Sequence, residues 1–301
     1  MIGSGFHRTL HSGIVNPGSN ARDQVVLITG GNTGIGFFTA LGLARQGAHV
    51  LLACRDARRA QTACERICAA SGNRRVEPLE LDLGDLNSVA RCAQTVLARD
   101  LPLHVLINNA GIAGARGLSV SGYEIAFGIN HIGHFALTQW LLPRMRASAP
   151  ARIVTVASRA HHMARGIPFA DLQRRTHSWL TVQEYAVSKL ANILFSHELS
   201  RRLGGTGIQT YSLHPGVVAT EIWRHAPKFL VALRKRSMID AEQGAETSLF
   251  CASSPEVQGQ SGLYYDACKP REPSALAQDR ALAAQLWEFS ERAIQSFNPH
   301  G

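Results

Sequence analysis

The most informative stretch of this sequence is Thr29-Gly30-Gly31-Asn32-Thr33-Gly34-Ile35-Gly36. It follows an apolar, β-branched run at Val25–Thr29 and leads into an amphipathic stretch over residues 34–46. Glycines at this spacing permit a tight turn and a close approach of the backbone to a ligand, and the N–H groups that open the next helix attract an anion. The stretch therefore predicts a strand–turn–helix unit whose turn and helix start hold a pyrophosphate.

Apolar runs and amphipathic stretches alternate along the rest of the chain. The predicted strands are Val25–Thr29, His49–Ala53, Val76–Leu81, Leu103–Asn108, Arg152–Ala157, Ile208–Leu213 and Leu263–Tyr264. The predicted helices cover residues 34–46, 56–70, 86–99, 121–147, 183–203, 241–252 and 279–295. The strands lack in/out alternation, as strands do when helices cover both faces of a sheet. The pattern predicts an α/β fold with a doubly wound (Rossmann) parallel sheet of about seven strands.

The length of 301 residues suits one large domain. We expect a flexible N-terminal extension at residues 1–20, which lack a signal-peptide pattern, and a single dinucleotide-binding catalytic domain at residues 21–301. Within that domain, residues 215–240 break the alternation of elements. Because open α/β sheets bind ligands at the carboxyl edge of their strands, we expect this segment to cover a substrate.

The formal net charge of +9 raises nucleic acid and anionic membranes as partners. Basic residues come in scattered pairs, such as Arg58–Arg59 and Arg174–Arg175, without interleaved aromatic residues, which disfavours nucleic acid. No apolar run is long enough to span a bilayer, so we expect a soluble, cytoplasmic protein. Membrane contact is disfavoured too, although residues 228–236, apolar and then basic, keep that alternative open.

Two further motifs accompany the glycine-rich stretch. Asn108-Asn109-Ala110-Gly111 follows the fourth predicted strand, and Tyr185-Ala186-Val187-Ser188-Lys189 follows the fifth. In this order and at these separations, the three motifs resemble the short-chain dehydrogenase/reductase family over residues 24–292. The resemblance implies an enzyme that transfers hydride between a nicotinamide and a carbonyl/alcohol pair.

The catalytic residues are expected to be Tyr185, Lys189, Ser158 and Asn130. Tyr185 and Lys189 are four apart on a helix and share one face, so the ammonium should lower the pKa of the phenol below its usual value of about 10. Ser158 ends the fifth strand, where its hydroxyl can hold the substrate oxygen. The resemblance assigns Asn130 to a water-linked proton path towards Lys189. The loop 159–184, between Ser158 and Tyr185, is longer than in many family members.

The resemblance also implies which residues hold the cofactor. They are Gly30, Asn32, Thr33, Gly34, Ile35, Gly36, Arg55, Asp82, Leu83, Asn108, Ala110, Gly111, Tyr185, Lys189, Pro215, Gly216, Val218 and Thr220. Among them, Asp82 would meet the adenine amino group and Asn108 would line the ribose. Residues 215–220 would meet the carboxamide, in a segment similar to the family's Pro-Gly-x3-Thr pattern.

The end of the second strand indicates which nicotinamide is bound. Enzymes that prefer NAD usually carry an acid there, which accepts hydrogen bonds from the ribose hydroxyls. Cys54 occupies that position and Arg55 follows it, so a guanidinium is available for a 2′-phosphate. Asp56, one residue further on, is better placed as the N-cap of the next helix. We therefore predict a preference for NADP(H), with NAD(H) as the alternative.

Histidines and cysteines raise the question of a metal. The candidates His131, His134 and His161–His162 have no carboxylate or cysteine partner at ligand spacing, and the six cysteines form no zinc pattern. We expect solvent-facing or packing histidines, reduced thiols and no metal.

Several strings resemble the retinol dehydrogenase branch of the family, among them Leu52–Asp56, Asn130–Phe135, Ser188–Asn192 and Leu213–Gly216. This likeness implies a small apolar aldehyde, ketone or alcohol as substrate, and the family leaves homodimer and homotetramer both open. A non-catalytic NADP(H)-binding redox-sensing or scaffold module is the alternative function, but it would not need Tyr185, Lys189 and Ser158 together. A sugar-nucleotide epimerase shares the Tyr/Lys pair, but usually has a different glycine spacing and a larger C-terminal domain.

Overall fold

The computed structural model describes residues 20–216 and 240–297. Its sheet has eight strands: β1 Val25–Thr29, β2 His49–Cys54, β3 Val76–Glu80, β4 Val105–Asn108, β5 Ala151–Val156, β6 Ile208–His214, β7 Tyr264–Asp266 and β8 Lys269–Arg271. Their order is β3-β2-β1-β4-β5-β6-β7-β8, and the first seven run parallel. The order reverses between β1 and β4, which confirms the doubly wound sheet.

The eighth strand was not predicted. β8 runs antiparallel to β7 across a turn of two residues, Ala267 and Cys268, whose φ angles are +50° and +59°. Such a turn usually carries asparagine, aspartate or glycine, so alanine and cysteine give no hairpin signal. All three β8 residues are exposed, and Pro270 lies among them, as suits an edge strand.

Eight α-helices connect and cover the described strands: α1 Gly34–Arg45, α2 Ala57–Ser71, α3 Leu86–Leu97, α4 Ile125–Phe127, α5 Gly133–Ala147, α6 Val182–Arg202, α7 Ala241–Ser253 and α8 Arg280–Ile294. Helices α1, α2 and α7 contribute to the buried cluster on one face of the sheet, and α3, α5, α6 and α8 to the cluster on the other. Strand β1 lies between the clusters and is buried at every residue, which explains its lack of alternation.

The continuous helix predicted over residues 121–147 is wrong in two respects. It begins only at Ile125, because the Glu124 carboxylate accepts hydrogen bonds from the N–H groups of Ala126 and Phe127, each at 2.9 Å, and so caps the helix start. It is then interrupted by a π-helical stretch, Gly128–Ile132, before α5 begins. Hydrophobic periodicity does not distinguish a π-bulge from regular helix, and such bulges often mark functional sites.

The predicted N-terminal extension at residues 1–20 and substrate-covering segment at residues 215–240 lie almost wholly outside the described residues. Within residues 20–216 and 240–297, no helix has the length and apolarity that crossing a bilayer requires.

Helix α8 closes the α5–α6 side of the molecule with aromatic contacts. Trp287 is 4% exposed, and its ring lies 5.1 Å from that of Phe135 on α5 and 6.0 Å from that of Phe195 on α6. The Arg202 guanidinium lies 4.3 Å from the Trp287 ring centre. The Trp287 ring therefore contacts α5 and α6 from its own helix α8, while its Nε1 is buried and has no hydrogen-bond partner among the described residues.

We expect Trp287→Ala to lower the free energy of unfolding by about 3–5 kcal/mol, because it leaves a cavity between α5, α6 and α8. Urea denaturation with two independent probes measures the change. The matched variant Trp287→Phe keeps a ring in place and removes only an N–H without a partner, so its loss should be less than half as large. Equal losses in both variants would contradict this account of the packing.

Candidate active site

The glycine-rich turn fits tightly against the end of β4. Gly30 has a φ of +67°, and a Cβ there would lie 2.9 Å from the Cα of Ala110. A Cβ on Gly36 would lie 2.5 Å from both the Nδ2 of Asn109 and the carbonyl oxygen of Gly30. The N-cap residue of α1, Thr33, makes no side-chain capping bond. The first turn of α1 therefore has N–H groups available for an anion, as the sequence predicts for residues 32–36.

Thr29 ties this turn to the Asn-Asn-Ala-Gly motif. Its Oγ1 accepts the N–H groups of Asn109 and Ala110 at 3.0 and 2.9 Å, and the Nδ2 of Asn109 donates to the Thr29 carbonyl at 2.8 Å. Sequence reasoning named Asn108, Ala110 and Gly111 but missed Asn109. Asn108 is fully buried, and its Nδ2 donates to Thr138 of α5 at 3.0 Å. Nothing in the motif distinguishes the two asparagines, because only the chain direction after β4 decides which side chain faces the turn.

The end of β2 presents an uncharged thiol followed by an exposed guanidinium. Burial raises the pKa of Cys54 to about 11, so this side chain stays neutral beside the backbone N–H groups of the glycine-rich turn. Arg55 is exposed. Asp56 is the N-cap of α2 and accepts the N–H of Arg59 at 3.0 Å, which lowers its pKa and confirms the interpretation from sequence.

Asp82 and Leu83 lie at the carboxyl end of β3, close to the start of α5. One carboxylate oxygen of Asp82 accepts the N–H of Gly84 at 2.9 Å, while its own N–H donates to Ser88. Leu83 is buried, and its carbonyl oxygen would lie 2.3 Å from a Cβ on Gly133. The turn after β3 is thus fixed by a glycine on α5.

Ser158, Tyr185 and Lys189 come together beyond the carboxyl end of β5. The Ser158 hydroxyl hydrogen-bonds the Tyr185 side chain. Lys189 Nζ donates to the carbonyl oxygen of Val156 at 2.9 Å and lies 5.7 Å from the Tyr185 ring centre. The predicted triad is therefore one cluster, which is held by the end of β5 and one face of α6.

Burial dominates the electrostatics of this cluster. It raises the pKa of Tyr185 to about 12, against a smaller lowering by the Ser158 hydrogen bond. It also lowers the pKa of Lys189 to about 8. The predicted lowering of the Tyr185 pKa by Lys189 is thus not found, because sequence spacing places the ammonium near the phenol without showing that both are almost completely desolvated.

Asn130, within the π-helical stretch, clamps the end of the Asn-Asn-Ala-Gly segment to α6. Its Oδ1 accepts the N–H of Ile112 at 2.8 Å, and its Nδ2 donates to the Ile112 carbonyl at 3.0 Å and to Ser188 Oγ at 2.9 Å. Ser188 in turn donates to the carbonyl of Tyr185 at 2.8 Å. The structure thus gives the Asn130 side chain a positioning contact beside the tyrosine.

Three of the histidines weighed as metal ligands are buried packing residues. His131, His134 and His161 are each at most 1% exposed, and each bonds a hydroxyl or a backbone group. His162 is exposed and stacks on His161. In the described part of the chain, no three histidine, cysteine or acidic side chains gather as a metal site would require.

The long loop 159–184 is anchored by a buried carboxylate. Thr176 donates to Glu124 at 2.6 Å, and the N–H of Glu124 donates to the Leu172 carbonyl at 2.7 Å. The loop ends at Thr181, with a φ of +55°, immediately before α6. Trp179 and Leu180, 81% and 54% exposed, precede Tyr185 by six and five residues along the chain.

Pro215 and Gly216 follow β6, and Gly216 has a φ of +88°. Val218 and Thr220, also predicted to hold the cofactor, lie outside the described residues, as does the predicted membrane-facing stretch 228–236.

Comparisons with known proteins agree with this geometry. The family model for short chain dehydrogenase matches residues 24–170. Retinol dehydrogenase 12 from Homo sapiens is 41% identical over 293 residues, covering 96% of this chain and 92% of that protein. WW domain-containing oxidoreductase from Danio rerio is 40% identical, covering 92% and 70%. A solved structure of an uncharacterized protein from Mycobacterium Paratuberculosis is 36% identical with a TM-score of 0.74, covering 91% and 94%.

We expect Lys189→Met to stabilise the fold at pH 7 by about 1–3 kcal/mol, because it removes a desolvated ammonium. The pKa of Lys189 is lowered to about 8 from 10.5, so the unfolded chain binds more protons between these values. The cost of burying the charge is therefore fully present below pH 8 and fades as the pH rises towards 10.5. Urea denaturation from pH 7 to 10 should show the advantage of the variant shrinking.

The control is Lys269→Met, since Lys269 is exposed on β8. Its stability relative to wild type should not change with pH in this way. A Lys189→Met protein that is less stable than wild type at pH 7 would contradict the assigned cost of burying the ammonium. So would a difference in the free energy of unfolding that is the same at every pH.

Proposed function

The chain belongs to the short-chain dehydrogenase family as a retinol dehydrogenase-like oxidoreductase acting on CH–OH or C=O groups, and from this premise we propose that it uses NADP(H) to interconvert an apolar aldehyde or ketone with its alcohol. The observation that carries the proposal is the cluster of Ser158, Tyr185 and Lys189 at the carboxyl edge of β5. It lies at the same edge of the sheet as the glycine-rich turn after β1.

The described residues fit a dinucleotide. The tight packing around Gly30 and Gly36 leaves no room for a Cβ, so the backbone of the turn carries no side chains at these positions. The first turn of α1 offers N–H groups to a pyrophosphate. When bound, the nicotinamide would supply or accept the hydride. These features support the binding of a nicotinamide dinucleotide.

The end of β2 supports NADP(H). A carboxylate that accepts the ribose hydroxyls would repel a 2′-phosphate, whereas Cys54 is a neutral thiol there. The exposed Arg55 guanidinium can pair with a phosphate in two hydrogen bonds. Asp56 is engaged in capping α2, so its carboxylate is turned towards the helix start.

The chemistry of the chain's own residues is proton transfer and charge stabilisation. In the reductive direction, the Tyr185 hydroxyl donates its proton to the forming alkoxide, while the Ser158 hydroxyl holds that oxygen. Lys189, whose pKa is lowered to about 8, is mostly protonated near neutral pH and lies 5.7 Å from the centre of the Tyr185 ring. In the oxidative direction the Tyr185 phenolate accepts the alcohol proton.

An apolar substrate is supported by the relatives, which include proteins named retinol dehydrogenase 11, 12 and 13 from Homo sapiens. The loop 159–184 adds exposed apolar side chains, Met163, Trp179 and Leu180, on the segment between Ser158 and Tyr185.

We expect turnover of NADPH at 340 nm with apolar aldehydes or ketones, and its loss to below about a tenth in Tyr185→Phe, because the proton donor is removed. NADPH binding, measured by fluorescence titration, should be nearly unchanged. The matched control is Tyr211→Phe, which removes a hydroxyl that bonds the Val257 carbonyl at 2.8 Å, outside the cluster. Full activity in Tyr185→Phe would contradict the assigned proton donor, whereas NADPH binding without turnover in the wild type would support the non-catalytic binding module.

We expect Arg55→Asp to lower kcat/KM for NADPH by about tenfold or more relative to NADH, because a carboxylate replaces the group that pairs with the 2′-phosphate. Steady-state kinetics with both cofactors measure the ratio. Arg146→Asp, an equal change of charge at the exposed end of α5, serves as control. Equal losses for both cofactors, or a wild-type preference for NADH, would refute the assignment.

A further inference from the structure

A buried histidine connects the glycine-rich turn to the catalytic helix region. His134, in the first turn of α5, is 1% exposed. Its Nε2 lies 2.8 Å from the Thr29 hydroxyl, and its Nδ1 lies 3.0 Å from the carbonyl oxygen of Asn130. The ring therefore spans the space between β1 and the π-helical stretch, and both of its nitrogens have partners.

The partners determine which nitrogen carries the proton. A carbonyl oxygen can only accept, so the Nδ1 of His134 is protonated and donates to Asn130. Burial lowers the pKa of His134 to about 4, so the ring is neutral and its Nε2 accepts. The Thr29 hydroxyl consequently donates its only proton to His134, and the longer contact of 3.4 Å to the Ile107 carbonyl is the weaker one.

This donation orients the other side of the Thr29 hydroxyl. With its proton on His134, its lone pairs face the N–H groups of Asn109 and Ala110, which they accept at 3.0 and 2.9 Å. Ala110 is also the residue against which Gly30 packs. The shape of the turn after β1 and its contact with the segment after β4 are thus fixed through the histidine.

The other end of the ring leads to the tyrosine. The carbonyl oxygen of Asn130 accepts a hydrogen bond from the Nδ1–H of His134, and the Asn130 side chain hydrogen-bonds Ile112 and Ser188. Ser188 donates to the backbone of Tyr185. A continuous chain of hydrogen bonds therefore runs from Thr29 through His134, Asn130 and Ser188 to Tyr185.

We propose that His134 is a positioning residue that sets the glycine-rich turn and the Tyr185 segment in register, so that cofactor binding and proton transfer depend on one imidazole. The inference rests on the proposed function, since it concerns how that same site is held. It assigns His134 no contact with substrate or cofactor.

The first test reads the tautomer and needs no activity. Long-range ¹H–¹⁵N correlation spectra of histidine-labelled protein distinguish protonation at Nδ1 from protonation at Nε2, and the spectrum of His134→Phe identifies the signals of His134. We expect the Nδ1–H form at neutral pH. A signal showing Nε2–H would overturn the inference, because the ring could then not donate to Asn130.

The second test separates the two bonds by their kinetic effects. His134→Phe removes both and should lower kcat/KM with NADPH by about tenfold or more, with changes in both kcat and KM. An amide in His134→Gln lies near the position of Nε2 and should recover mainly the KM for NADPH, by restoring the partner of Thr29. An amide in His134→Asn lies near Nδ1 and should recover mainly kcat, by restoring the partner of Asn130.

His131→Phe is the matched control. His131 is equally buried, three residues earlier, but bonds Ser290 of α8 at 2.9 Å. It should lose stability in urea denaturation while the folded protein keeps the wild-type kcat and KM. A merely structural role for His134 would give the same pattern as His131.

The outcomes distinguish this inference from the function on which it rests. If the wild type turns over NADPH but His134→Phe matches it within about twofold in kcat and KM, the positioning role is wrong and the function stands. If the wild type binds neither nicotinamide, both fall together. Loss of catalysis in His134→Phe with partial recovery in the two amide variants, and unchanged kinetics in His131→Phe, would support the inference.

Discussion

The interaction on which the site depends is the hydrogen bond from the Lys189 ammonium to the carbonyl oxygen of Val156. Lys189 is 2% exposed, and within the described residues no carboxylate forms an ion pair with it. A desolvated charge without a counter-ion costs stability, and the lowered pKa expresses that cost. The rest of the fold offsets this cost. The last residue of β5, Val156, supplies the acceptor, and α6 fixes the position of the lysine. Asn192 donates to the same carbonyl at 3.1 Å.

Around this charge, the polar side chains of the site bond the backbone more often than one another. Backbone N–H and C=O groups lose their regular ladder bonds where segments leave the sheet. Some of these groups are hydrogen-bonded by the side chains of Thr29, Asn109 and Asn130. Side chains held in this way have little freedom to move, because each is fixed by two or more bonds in a buried position. The positions of Ser158 and Tyr185 therefore depend on the backbone segments that follow three of the strands, and not only on contacts between the catalytic groups.

Much of the architecture could be predicted because it depends on local patterns. Strand β1 was predicted with its observed bounds, and α1, α2 and α6 within one or two residues, since apolar runs and caps such as Asp56 are visible in the sequence. The motif residues Ser158, Tyr185 and Lys189 indeed meet. What could not be predicted depends on three-dimensional surroundings: the π-helical stretch, the sign of the Tyr185 pKa shift, the hydrogen bonds of Asn109 to the glycine-rich turn, and the burial of His134. Each of these is decided by a partner that lies far away in the sequence.

Helix α8 packs against both α5 and α6. The middle turns of α5 and α6 are buried within one chain, and their exposed residues lie at the helix ends. The Trp287 ring contacts both helices, and Ser290 hydrogen-bonds the Nε2 of His131. Displacing α8 would expose a tryptophan and break a buried hydrogen bond, and both changes cost stability. The helix that carries Trp287 and Ser290 therefore stabilises the position of α6, the helix on which Tyr185 and Lys189 lie.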